Sequence, residues 1–405
     1  MGKLPIGGVN IAADAPSTWS YAMRCPNPAA SASVANRRMA TGSVPLSACE
    51  NTTPSFIRSP NVGGPNDPTI RPGVYQTTPG CWNGSMTRLG YQIPNFTYPG
   101  TGPDGLFAVV SRQAREADTS GFDTVLVMDH FYQLPMLGAP EAFMLECYTL
   151  LAALARETST VRLSALVTGN TYRNPVVLAK ILTTLDVVSN GRSQLGIGAG
   201  WFELEHTAFG IEFGTFTDRF EKLEEELRVI VPLLRGERVS LDGERYQVVD
   251  AVNSPPSVSR IPVMIGGGGE RKTLRMVAQY ADESNLICTV EEIPRKLEAL
   301  AAHCERLGRD RSEIAVTKLV MMVIGRTHDE ATAALGAFIA NHGWPPEVVE
   351  LMAPRLTLGG PDEIGEAIAG LRAAGLDGVT LNLCANAHDP EMITLAGEVA
   401  DKALG

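Results

Sequence analysis

Residues 161–206 read VRLSALVTGNTYRNPVVLAKILTTLDVVSNGRSQLGIGAGWFELEH, and this stretch decides the fold. Its opening, Val161 to Val167, is apolar and rich in β-formers, and it breaks off at Thr168-Gly169-Asn170. Pro175 then starts a helix-like segment carrying Val177, Leu178, Ile181, Leu182 and Leu185 at three- and four-residue steps. Asn190-Gly191 stops that helix, and Gln194 to Ile197 forms a second apolar run that enters Gly198-Ala199-Gly200. Strand, helix and strand in this order make a crossover between parallel strands whose C-terminal ends lie on one side. Small and polar residues gather at both ends, where parallel α/β folds bind ligands.

The same alternation extends in both directions. Strand-like runs stand near Leu89–Ile93, Thr124–Met128, Leu163–Val167, Gln194–Ile197, Pro262–Ile265, Glu283–Ile287, Ala315–Ile324 and Gly378–Leu383. Between them lie amphipathic segments, such as Phe220, Leu223, Leu227, Ile230 and Leu234 with Glu and Lys on the opposite face. Gly359-Gly360-Pro361-Asp362-Glu363 places Pro and acids in a first helical turn, and Gly375 closes that helix. Eight strands over about 320 residues, each followed by a helix, predict an α/β fold of the (β/α)8 TIM-barrel type. An open doubly wound sheet is the alternative. The length in excess of about 250 residues must be insertions. Two are visible: Trp201 to Phe216, and a hairpin-like Val239–Val249 turning at Asp242-Gly243.

Residues 1–85 differ from the remainder. They hold 11 of the 27 prolines and no sustained periodicity, so a disordered, dispensable extension is expected ahead of a barrel domain at 86–405. A chain begun at Met86 is expected to keep its stability and activity.

The net charge of −11 argues against nucleic acid and anionic membranes as partners. No apolar run is long enough to cross a bilayer, and the N-terminus lacks a signal-peptide pattern. Seven cysteines without a CxxC indicate neither a zinc site nor a disulfide framework, and a reducing cytoplasm is the simplest location.

Asp129-His130 directly follow the run Thr124 to Met128, which puts both at the C-terminal rim of a barrel, where catalytic residues concentrate. A histidine side chain in this place can accept or donate a proton during a redox step, which makes His130 the candidate acid/base. Gly266-Gly267-Gly268-Gly269 follows another strand and opens a helix containing Arg271, Lys272 and Arg275. Without Cβ atoms such a turn can bring backbone N–H groups onto a phosphate. The bland alternatives are loop capping for the first motif and a flexible loop for the second. Gly196-Ile197-Gly198-Ala199-Gly200 lacks the spacing of a nicotinamide fingerprint and instead leaves room for a flat ring at the strand ends. Glu203, Glu205 and His206 read as a solvated helix start, with no ligand spacing for a metal. G-x-S-x-G and P-loop patterns are absent, which lowers hydrolase and nucleotide-triphosphatase readings.

In the order they occur, Met128-Asp129-His130-Phe131, Thr168 to Pro175, Leu195 to His206, Ala208-Phe209-Gly210 and the glycine run resemble the luciferase-like monooxygenase superfamily, over about four-fifths of the chain. The likeness is greatest to the branch that uses the deazaflavin coenzyme F420. The resemblance implies the barrel fold, a ring cofactor across the strand ends, and its phosphate on Gly267, Gly268 and Gly269. It further implies cofactor contacts from Asp129, Ala165, Leu166, Thr168, Asn170, Ala199 and Gly200, with a non-prolyl cis peptide at Ala165-Leu166. His130 matches the acid/base histidine of the family's F420-dependent sugar-phosphate dehydrogenases. Those enzymes carry glutamate where this chain has Trp201 and tryptophan where it has Leu134. That departure implies a more apolar pocket and a small organic substrate other than a sugar phosphate. FMN serves the same platform in related monooxygenases and is the alternative cofactor, while a carrier that binds such a ring without turnover is the alternative of another class. A homodimer is an open option, with no interface residue to name.

Overall fold

The structure, a computed structural model, describes residues 88–405 apart from Met136. The expected extension at 1–85 lies outside the described residues.

The first part of the chain runs β1 (Arg88–Gln92), α1 (Pro103–Thr119), β2 (Thr124–Val127), α2 (Cys147–Glu157), β3 (Arg162–Ala165), β4 (Thr168–Gly169), α3 (Pro175–Ser189) and β5 (Ser193–Gly198). Next come α4 (Glu203–Phe209), α5 (Phe216–Leu234), β6 (Val239–Asp242), β7 (Gln247–Ala251), β8 (Val263–Gly266), α6 (Thr273–Tyr280), β9 (Glu283–Leu286) and α7 (Ile293–Leu307). The last part holds β10 (Ala315–Ile324), α8 (His328–His342), α9 (Pro346–Met352), β11 (Thr357–Gly359), α10 (Pro361–Ala373), β12 (Gly378–Leu383) and α11 (Pro390–Leu404).

Strands β1, β2, β3, β5, β8, β9, β10 and β12 pair in that order, all parallel, and β12 returns to β1 through Arg88↔Gly378 and Leu89↔Val379. The sheet is therefore a closed barrel, which removes the open-sheet alternative. Runs such as Thr124-Val-Leu-Val127 are buried along their whole length, because a ring of helices covers the outside while side chains fill the inside. The crossover read from residues 161–206 forms as expected. Asn174 caps α3 by accepting from the Val176 N–H at 2.9 Å, Pro175 takes the first turn, and Asn190 ends it in the left-handed conformation.

One irregularity shapes the rim. Between Ser164↔Gln194 and Thr168↔Ile197 the chain advances four residues on one side and three on the other, leaving a one-residue bulge. A side chain at Gly196 would collide with the Ala165 carbonyl, so glycine lets the bulge close onto β5. The non-prolyl cis peptide lies in this bulge at Leu166-Val167, one residue beyond the expected Ala165-Leu166. The register explains the shift: the Leu166 N–H still donates to the Val127 carbonyl at 2.9 Å, so the ladder with β2 holds Leu166 before the chain departs.

Both expected insertions are present, the first carrying α4 and the second forming the antiparallel pair β6–β7. A third, over residues 325–360, escaped the sequence reading. It contains α8, α9 and β11, and it returns to β10 where Met322↔Thr357 and Ile324↔Gly359 pair. Phe338 of α8 packs in one apolar cluster with Met128, Leu137, Val323 and Cys384, so this insertion folds over the C-terminal mouth. Among the described residues no helix is long and apolar enough to cross a membrane.

Candidate active site

The bulge, the loop after β2 and the start of α4 meet at the C-terminal rim around one carboxylate. Glu205 is fully buried. Its Oε1 lies 2.8 Å from Nδ1 of His130 and accepts the Tyr172 hydroxyl, while Oε2 accepts the N–H groups of Phe131 at 2.7 Å and Tyr132 at 3.3 Å. Burial works against charge on Glu205. The hydrogen bonds from His130, Tyr172 and the Phe131 amide outweigh it and hold the carboxyl below its ordinary value. The solvated helix start expected at Glu203, Glu205 and His206 holds for Glu203 alone. On a helix, positions two apart point some 200° from one another, so exposing Glu203 turns Glu205 inward.

His206 is buried as well. Its Nδ1 donates to the Phe202 carbonyl at 2.7 Å, and its Nε2 accepts from the Thr171 hydroxyl at 2.6 Å. Burial pulls this imidazole below its ordinary pKa, against the opposing pull of the Phe202 carbonyl and Glu205, so it stands neutral. The Tyr172 ring stacks on it at 4.8 Å. Glu205, His206 and Tyr172 together anchor the short α4 beneath His130.

His130 keeps 12% of its side-chain surface exposed and meets Trp201 edge-on at 5.6 Å and Phe202 at 5.8 Å. Its Nε2 makes no hydrogen bond among the described residues. The expected neighbour Trp201 is thus beside the histidine, with its outer face in solvent. Leu134 sits instead with the Met128–Phe338 cluster, beneath the 325–360 insertion.

Asp129 is buried and fully engaged: its two oxygens accept from Nη1 and Nη2 of Arg173 at 2.7 and 3.0 Å, and Nη2 also reaches Glu146 at 2.5 Å. Asp129 therefore braces the rim through Arg173. Thr168 is buried with its hydroxyl 2.6 Å from that of Tyr148. Asn170 donates to the Arg219 carbonyl at 2.8 Å and has no partner for its buried Oδ1. Ala165 is buried inside the barrel, whereas Leu166, Ala199 and Gly200 are half-buried at the rim.

The glycine run ends β8 on the same rim. Cβ atoms at Gly198 and Gly266 would each come within 2.9 Å of Val167, so that side chain fills the space two glycines leave. Gly267 has a φ of +132°, a region that L side chains rarely adopt, and a side chain on Gly268 would strike the Ile287 carbonyl. These glycines meet a packing need as well as leaving backbone open. Gly267 donates its N–H to the Asn285 carbonyl at 3.0 Å, while the N–H groups of Gly268 and Gly269 have no acceptor among the described residues. Two undonated amides beside a Cβ-free turn fit a phosphate. The basic side chains contribute less than expected. Helix α6 starts at Thr273, after Arg271 and Lys272, and Arg275 is held by Glu224 at 2.6 and 2.8 Å.

A cleft of about 630 Å³ opens on the opposite part of the rim, between the loops after β1, β10 and β12 and the face of α8 carrying Ala334, Ala337 and Phe338. Phe338 and Cys384 belong both to this cleft and to the cluster around Met128, two residues before His130.

A family model described as luciferase-like monooxygenase matches residues 87–378. The F420-dependent glucose-6-phosphate dehydrogenase of Amycolatopsis mediterranei (strain U-32) is 31% identical over 207 residues, covering 50% of this chain and 58% of that protein. The chain thus spans somewhat more than half the length of this curated relative. Among solved structures, the coenzyme F420-dependent tetrahydromethanopterin reductase from Methanopyrus kandleri aligns with a TM-score of 0.64 at 19% identity, over 79% of this chain and 100% of that one. An F420-dependent secondary alcohol dehydrogenase, in complex with an F420-acetone adduct, aligns at 0.65 and 20% identity over 79% of this chain and 99% of that one. At those identities the likeness is one of fold.

Proposed function

This chain belongs to the luciferase-like monooxygenase family, and from that premise we propose that it exchanges a hydride between coenzyme F420 and a small, fairly apolar organic substrate. The observation that carries this reading is His130 at the barrel rim, with Nδ1 committed to Glu205 and Nε2 unengaged. When bound, the deazaflavin supplies a carbon that accepts or returns a hydride. The phosphate would lie on the amides of Gly268 and Gly269. The ring would lie along Leu166, Ala199 and Gly200, over a surface kept flat by the glycines around Val167. Asp129, Thr168 and Asn170 would support that surface from behind through the bonds described above.

The chain's own part in the reaction is proton handling. As an alcohol carbon gives up hydride, its hydroxyl proton passes to Nε2 of His130 and a carbonyl remains; in reverse the protonated ring returns it. Trp201 and Phe202 pack edge-on against the imidazole that carries that nitrogen. The cleft beneath α8 is the room for the unreactive part of the substrate. Its size falls in the ordinary range for small-molecule sites, and its lining is mixed: Ala334, Ala337 and Phe338 on the α8 side can take an apolar group, while Asn95, Asn386 and Asp389 stand on the facing loops. Residues 86–405 form the working domain in this reading, in keeping with a family match that starts at residue 87.

Titration of the purified protein with F420 and with FMN, followed by fluorescence, tests the proposal. Binding of F420 at least tenfold tighter is expected. Tighter FMN binding would instead assign a flavin monooxygenase. Tight F420 binding with no oxidation or reduction over a broad panel of alcohols, ketones and activated alkenes would leave only a carrier.

A further inference from the structure

We infer that Glu205 is the positioning residue for His130, fixing the imidazole in the tautomer that has its proton on Nδ1 and a lone pair on Nε2. This inference rests on the hydride-transfer reading for its purpose, but on geometry for its content. Oε1 of Glu205 sits 2.8 Å from Nδ1, and an ionised carboxylate can only accept, so Nδ1 must carry the proton. The carboxylate cannot turn away from this duty. Its second oxygen is occupied by two backbone N–H groups of the loop that carries His130, and Tyr172 holds the first from the far side. Neutral imidazole in water has its proton mainly on the other nitrogen, so the tautomer is imposed by the protein. The same arrangement of a buried carboxylate behind a histidine orients the base in hydrolytic triads and stabilises the cation that forms during turnover.

Glu205→Gln makes the point sharply. The amide oxygen must stay with the Phe131 and Tyr132 N–H groups, so the amide NH2 takes the place of Oε1. It then donates toward Nδ1 and drives the imidazole proton to Nε2. The substituted protein is close to isosteric and keeps the bonds that order the loop.

The test is 15N NMR of histidine-labelled protein without substrate, with the His130 signals among the six histidines identified by their loss in His130→Ala. Neutral wild-type His130 is expected to show protonated Nδ1 and bare Nε2. Glu205→Gln should invert the pattern, and Tyr172→Phe, which leaves the carboxylate in place, should keep it. A wild-type ring protonated on Nε2, or an unchanged pattern in Glu205→Gln, would overturn the inference. If Glu205→Gln does not fold, the wild-type and Tyr172→Phe spectra decide. Because no substrate or cofactor enters the measurement, its outcome is separate from whether F420 is the cofactor. F420 affinity of Glu205→Gln should stay within about threefold of wild type, since Glu205 does not face the ring platform.

Discussion

Asp129 and Arg173 form a two-point ion pair at 2.7 and 3.0 Å, with the carboxylate 1% and the guanidinium side chain 11% exposed. The pair joins the loop that presents His130 to the segment that leads into α3. Deleting the cation would leave a buried carboxylate without its partner, a loss that typically costs about 3–5 kcal/mol. Arg173→Ala is therefore expected to lose stability of this order in denaturant unfolding. Asp129→Asn in the same background should recover part of it, because the stranded charge is gone. An additive double-mutant cycle would show that the pair does not couple the two segments.

His130→Ala separates chemistry from binding. Turnover is expected to fall roughly 10²–10⁴-fold, as for loss of a positioned acid/base group. The dissociation constant for F420 should change less than about threefold. Wild-type turnover in this variant would remove His130 from the proton path.

Gly268→Ala probes the turn after β8. A methyl group there runs into the Ile287 carbonyl, so the turn must move and carry its free amides with it. Cofactor affinity is expected to drop tenfold or more, equivalent to about 1.4 kcal/mol. Arg271→Ala at the exposed side of the same turn should weaken binding less. The reverse ranking in a fluorescence titration would place the phosphate on the side chain.

His206 gives the fold a dependence on pH. Burial depresses its pKa, so below the ordinary value of 6.5 the unfolded chain takes up a proton that the folded chain refuses. This contribution is complete above about pH 6.5 and is lost as the pH falls from there toward the folded value. The melting temperature of the wild type should decline from pH 7.5 to 5.5, and His206→Gln should show a smaller decline. Equal slopes would assign the dependence to other groups.

Ala337→Trp fills the cleft beneath α8 without touching the glycine turn. For a substrate that uses this room, KM should rise tenfold or more while F420 affinity is unchanged. A variant with normal KM would place the substrate elsewhere on the rim.

Strands such as β2 and β8 were legible because each is a short apolar run that is largely buried and is ended by Asp or Gly, whereas β9, Glu283-Ser284-Asn285-Leu286, is buried yet mostly polar. His130 and the glycine turn were legible because they directly follow such runs. Glu205 was not, since its partners lie 75 and 33 residues away and a Glu-rich helix start ordinarily faces water. The sequence offers one hint, the apolar Leu204 set between Glu203 and Glu205; in the structure Leu204 faces outward while Glu205 turns in. The cis peptide was placed one residue early because the bulge depends on ladder register, which sequence alone leaves open. The third insertion was missed because α8 is rich in Ala, and its apolar side packs on the mouth around Met128 and Cys384 and not on the barrel wall.

That insertion leaves and rejoins the protein at a single strand, β10, through the short pairing of β11. Residues 325–360 can therefore change in length and composition across descendants while the ring of strands keeps its closure and the histidine its setting. Under the proposed function, the choice of substrate can drift under selection while the residues that hold the cofactor and the proton stay in place.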